Sequence, residues 1–165
     1  MLYQIHNGPS PTTAAQVVVT TGTVIKTLLQ VKGVTAALFK IVEWGISFDG
    51  SAAATPIKCE LLETGTVFAT VTAHVADGLV KMHPGNPVST TYFEVGTAAT
   101  GYTATAEGTI TASRVFDAQL IAPTNQYVKQ FPLGLEPWVD AVSSLRIRVT
   151  AGAAVNAYCY VVVET

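Results

Sequence analysis

Residues 144–165 read SLRIRVTAGAAVNAYCYVVVET, and this stretch decides the fold class. Leu145, Ile147 and Val149 alternate with Ser144, Arg146 and Arg148, the period-two pattern of a strand with one buried face. Ala151-Gly152-Ala153 is a small, flexible break. Val155, Ala157, Cys159, Val161 and Val163 then alternate with Asn156, Tyr158, Tyr160 and Val162. The pattern predicts a closing β-hairpin. Its second strand carries large residues on both faces, which places it at the centre of a sheet or beneath a cover.

Working outward, strand signals recur with turn signals between them. The pattern predicts strands over Ala15–Thr20, Thr23–Val31, Ala37–Phe48, Pro56–Glu63, Thr66–His74, Thr109–Ala122 and Tyr127–Phe131. Within Ala37–Phe48, Val42, Trp44, Ile46 and Phe48 share a face. Pro56–Glu63 and Thr66–His74 read as a hairpin about Gly65. Thr109–Ala122 has apolar residues on both faces and is expected to be covered on both sides. Residues 75–108 are rich in Gly, Thr and Pro, so long loops are expected there, with one short strand near Tyr92–Val95. One helical turn is expected near Pro137–Val142. The sum is an all-β chain with minimal helix. About eight or nine strands suit an antiparallel β-sandwich, jelly-roll-like, with an immunoglobulin-like order as the alternative.

Residues 14–165 thus read as one domain, preceded by an extended N-terminal arm at 1–13. Met1, Leu2, Tyr3 and Ile5 are apolar, Pro9 and Pro11 oppose regular pairing, and no charged residue precedes Lys26. Such a segment could be disordered, lie across a neighbouring subunit, or pack on its own domain.

Charged residues make up 12% of the chain against a usual share of about 25%, while 49% is hydrophobic. Mean hydropathy is +0.40. A Thr/Ala-faced sandwich accounts for this, and so does a surface largely covered by other subunits, since interface cores are depleted in charge. The net charge of −2 and the lack of a basic cluster argue against a nucleic-acid partner. No apolar run of about 18 residues is present, so no membrane-spanning helix is expected. The N-terminus lacks the basic and apolar regions of a secretory signal. Synthesis in a reducing cytoplasm is therefore expected, with Cys59 and Cys159 as buried free thiols and a disulfide between them as the alternative.

No catalytic signature is present. His6, His74 and His83 have no metal-ligand spacing, and no P-loop, G-x-S-x-G or H-E-x-x-H pattern occurs, so no enzyme, metal or cofactor is expected. Glu43, Glu60 and Glu63 read as solubilising or ion-paired groups, with nothing to mark the convergent pair a glycosidase needs. Trp44 alternates with Val42 and Ile46 and reads as core. Trp138 lies in a loop and is the better exposed aromatic, which keeps a carbohydrate-binding module open as a reading.

Two stretches carry a resemblance. VEWGISFDGSAAATPIKCELLETGT at 42–66 and GYTATAEGTITASRVFDAQLIAPTNQYVKQFPLGLEP at 101–137, continued by LRIRVTAGAAVNAYCYVVVE, resemble small β-sandwich virion proteins of tailed bacteriophages, especially those of actinobacteria. Head decoration, or cement, proteins are among them. The resemblance implies a virion protein made in the host cytoplasm that binds a major capsid protein lattice, commonly as a homotrimer. Leu2, Tyr3 and Ile5 are then expected as arm anchors, and Trp138, Arg146 and Arg148 as contact residues. A single jelly-roll capsid, a tail protein or a fibre protein is the alternative virion role.

Overall fold

A computed structural model describes residues 1–9, 15–35, 37–110 and 113–165, without the side chain of residue 77. Pro11 of the expected arm and Ala112 of the expected strand lie outside the described residues. The strands, in chain order, are β1 (Leu2–His6), β2 (Val19–Thr20), β3 (Ile25–Lys32), β4 (Phe39–Phe48), β5 (Ile57–Thr64), β6 (Thr70–Ala73), β7 (Leu79–Lys81), β8 (Gly101–Ala106), β9 (Ser113–Ile121), β10 (Gln126–Gln130), β11 (Trp138–Val139), β12 (Ser144–Thr150) and β13 (Asn156–Glu164). Two antiparallel sheets result. The seven-stranded sheet runs β10-β4-β13-β1-β7, with β11 also on β4 and β2 on β13. The six-stranded sheet runs β6-β8-β3-β12-β5-β9. The sheets pack face to face as a β-sandwich, and the chain crosses between them at β2–β3, β3–β4, β4–β5, β6–β7, β7–β8, β9–β10, β11–β12 and β12–β13, as in a jelly roll.

The core between the sheets is built from inward residues of both. Tyr3, Ile5, Phe39, Ile41, Trp44, Ile46, Cys159, Val161 and Val163 come from one sheet, and Leu29, Val31, Cys59, Leu61, Leu145, Ile147 and Val149 from the other. Removing such side chains from water is the main favourable term, roughly 1.5–3 kcal/mol for each large one. Cys59 and Cys159 are both buried free thiols.

Both expected hairpins are replaced by crossovers. β12 pairs with β3 and β5, whereas β13 lies between β4 and β1 in the opposite sheet. β5 likewise pairs with β12 and β9 rather than β6. The alternation of apolar residues is satisfied either way, because it states which face is buried and not which strand lies alongside. β13 is central, as its two-faced apolar pattern indicates. β9 is instead the edge of its sheet, with Val115 and Leu120 exposed.

The first residues pack on their own domain. β1 pairs along its length with β13 and on its other side with β7, and Tyr3 and Ile5 are fully buried. Residues 75–108 contain β7, β8 and two short 3-10 turns, and Phe93 makes only an isolated bridge to Gly33 where a strand near Tyr92–Val95 is expected. The expected helical turn near Pro137–Val142 is β11, paired with the first residues of β4. Of the expected strand Ala15–Thr20, only Val19–Thr20 pairs.

Candidate functional site

Antiparallel register places directly opposed residues on one face. The outer face of the seven-stranded sheet therefore reads as rows across the strands. The first row is Gln126, Ser47 and Tyr158, and the second is Val128, Gly45, Tyr160 and His6. The third is Gln130, Glu43, Val162, Gln4 and Val80, and the fourth is Trp138, Lys40, Glu164 and Leu2. Strict alternation puts Val42 inward and Glu43 outward; a bulge between Val162 and Val163 makes Val42 the extra residue and leaves Glu43 opposite Val162 on the outer face.

Two tyrosines dominate this face. The Tyr160 hydroxyl donates to Glu43 Oε1 at 2.6 Å, and the Tyr158 hydroxyl lies 2.6 Å from His6 Nδ1. Burial, together with the bond to the Glu43 carboxylate and its charge, pushes the Tyr160 hydroxyl up to about 12. Burial also lowers the pKa of His6 by disfavouring its charged form. Ser47, Gln126, Val128, Tyr158 and Tyr160 line a shallow groove of about 310 Å³.

A second surface is the flank where both sheets end, at β9 and β10. Leu133 and Leu135, on the turn after β10, are more than half exposed there, Leu133 at 92%, while Val115 and Leu120 are exposed on the outer face of the six-stranded sheet and Val128 and Trp138 on that of the seven-stranded sheet. Asp117 closes this flank from within. It lies on β9 and accepts hydrogen bonds from Trp44 Nε1 at 3.1 Å, the Tyr127 hydroxyl at 2.9 Å and Gln119 Nε2 at 3.1 Å, with Lys129 Nζ at 3.2 Å. Burial alone would raise its pKa, but these hydrogen bonds and the Lys129 charge hold the carboxyl below its ordinary value.

The expected contact residues are distributed differently from their spacing in the sequence. Leu2 and Trp138 are exposed and share the fourth row of the outer face. Tyr3 and Ile5 belong to the core and have no surface to offer a neighbour. Arg146 does lie on the face of β12 opposite Leu145, yet it is fully buried. Residues 66–69 and 98–107 cover that face. Arg146 donates to Val67 O at 2.6 Å and Glu107 O at 3.0 Å, and Gln30 beside it donates to Ala98 O and accepts from Ala69 N. Arg148 is held by Glu60, at 3.0 Å from both Nε and Nη2.

Acidic side chains are similarly engaged. Glu60 also meets Lys58, Glu63 meets Arg114 and the Asp140 N–H, Glu94 meets Lys32, and Lys40 lies between Glu136 and Glu164. The groove of about 360 Å³ beside Glu63, Arg114, Asp140 and Ser143 is therefore lined by an internally satisfied ion pair. Among the described residues no group of three or more His, Cys, Asp or Glu could hold a metal ion. Asp117, Tyr158, Tyr160 and His6 were not singled out from sequence. The signal for Asp117 was a carboxylate on the same strand face as Ile121. The chain matches no protein-family model, no curated protein and no solved structure.

Proposed function

We propose that this protein is a non-enzymatic virion structural protein, a capsid decoration protein that self-associates and stabilises an assembled head. The observation that supports it most is the apolar flank. Single exposed apolar residues are ordinary, but exposed apolar side chains on both edge strands and on the turn after β10 suit a flank that other copies cover. Leu133 and Leu135 lie on one short turn, with Trp138 three residues on, and Leu120 and Val128 on the two edge strands. The low charge of the chain and the resemblance of residues 42–66, 101–137 and 145–164 to small β-sandwich virion proteins of tailed phages are in keeping with it.

In this reading the flank meets other copies, as in a homotrimer, and the oligomer meets the major capsid protein lattice. The mechanism is linkage: a protein that binds the assembled shell and not its separated subunits stabilises the shell. Repeated copies on a lattice add avidity to weak single contacts. Such a protein is made in the host cytoplasm and resides in the virion.

The test is solution mass by light scattering, followed by co-sedimentation with purified capsids that lack this protein. A discrete oligomer that pellets with the shells is expected. The double variant Leu133→Asp/Leu135→Asp, altered only at exposed positions, should stay folded and lose both properties. A wild-type monomer that stays in the supernatant would remove the reading.

A further inference from the structure

We infer that the outer face of the seven-stranded sheet around Tyr158 and Tyr160 is a binding site for an oligosaccharide. Tyr160 lies directly opposite Gly45. A Cβ added to Gly45 would fall 2.6 Å from Cε1 and 2.9 Å from Cζ of the Tyr160 ring. The tip of the ring therefore leans over the glycine, in space that any larger residue at position 45 would fill, and Tyr160 stays partly exposed. Tyr158 is two residues along the same strand, about 7 Å away. Successive sugar rings of an extended glycan can therefore meet successive tyrosines.

Both rings are held before any ligand arrives. Glu43 fixes Tyr160 and His6 fixes Tyr158 through their hydroxyls, so little side-chain freedom is lost on binding.

The surrounding groups select the ligand class. Aromatic ring faces favour the apolar C–H faces of pyranoses. Around them stand the Gln126 amide, the Ser47 hydroxyl and the Glu43 carboxylate, whose Oε2 takes no hydrogen bond from any described residue. These groups suit sugar hydroxyls, which both donate and accept. The first two rows hold no Lys or Arg, which disfavours a phosphate or other anion. A proline-rich peptide also stacks on tyrosines, but its carbonyls need donors. The Tyr160 hydroxyl already donates to Glu43, and the Tyr158 hydroxyl is taken up by His6.

The experiment is an amide chemical-shift titration of the intact chain with cellohexaose, chitohexaose, xylohexaose and mannohexaose, and with a proline decapeptide. At least one hexasaccharide should shift the amides of Ser47, Gln126, Tyr158 and Tyr160. Tyr160→Ala should weaken that binding about tenfold. Tyr160→Phe, which keeps the ring and loses the Glu43 bond, should weaken it less. Trp138→Ala should leave it unchanged. Response to none of the four sugars, response to the peptide alone, or shifts centred on Trp138 would overturn the inference. The wild-type titration decides even if Tyr160→Ala does not fold. The Leu133→Asp/Leu135→Asp variant should bind sugar normally, so failure of the capsid reading and failure of this one are separable.

Discussion

Asp117 offers the sharpest test of how the open flank is held. Replacing it with alanine removes the acceptor for three side-chain donors at once. Trp44 is fully buried, so its indole N–H would lose its only partner among the described residues without access to water, a cost of about 1–3 kcal/mol. The Tyr127 hydroxyl is only partly buried and can turn to solvent, so its loss is about 0.5–1.5 kcal/mol. Lys129 is about a third exposed, and its ion pair adds at most about 1 kcal/mol. The expected total is about 2–5 kcal/mol, a large fraction of the 5–15 kcal/mol typical of a domain. Equilibrium urea unfolding followed by tryptophan fluorescence measures it. In a Trp44→Phe background the buried donor is already gone, and Asp117→Ala should cost about 1–3 kcal/mol less. The pH dependence has a definite sign. The Asp117 pKa is depressed in the folded chain, so its contribution is complete above the ordinary carboxylate range and fades as pH falls through the folded value. Wild-type stability should therefore fall more steeply below about pH 4 than that of Asp117→Ala. A loss under about 1 kcal/mol, or parallel pH profiles, would refute this account of the flank.

Deleting residues 1–8 should abolish folding, seen as loss of the β-sheet circular dichroism signal, because it removes β1 from between β13 and β7 and takes Tyr3 and Ile5 out of the core. A folded deletion variant would show that β1 is dispensable. Arg146→Met should speed amide exchange in residues 66–69 and 101–107 while leaving β4 and β13 protected, since Arg146 ties those covering segments to β12. Uniformly faster exchange would mean that the covering layer does not open separately. Cys59 and Cys159 should resist a thiol reagent in the native protein and react fully after denaturation without reductant. Burial pushes the Cys59 thiol up to about 12 and that of Cys159 well above its ordinary value. Rapid native labelling would contradict their burial.

Much of the site was out of reach of sequence reading for identifiable reasons. Tyr158 and Tyr160 were plain as the outward residues of a strand, but Gly45 and His6, which orient or fix their rings, are far away in the chain and meet them only through pairing with β4 and β1. Arg146 was correctly placed opposite Leu145, yet the opposite face proved to be covered. Its cover comes from Val67–Ala69, which read as the start of a hairpin strand, and from Ala98–Glu107, in a stretch that read as loops. β1 was obscured by Pro9 and Pro11, which follow the strand rather than interrupt it.

The sequence by itself determined the class: period-two alternation broken by Gly and Pro reads as strands, and the inward faces of β5, β12 and β13 were legible because burial of apolar surface is a local property of the pattern. The tertiary structure alone decided which strands are neighbours. Any inward-facing strand satisfies its core equally well in either sheet. The choice between a hairpin and a crossover at Gly65 or Gly152 rests instead on long-range pairing and on how the two sheets close over a shared core. That pairing made Asp117 a buried lock, turned Arg146 into an internal anchor and brought two tyrosines, a glycine and a histidine onto one open face.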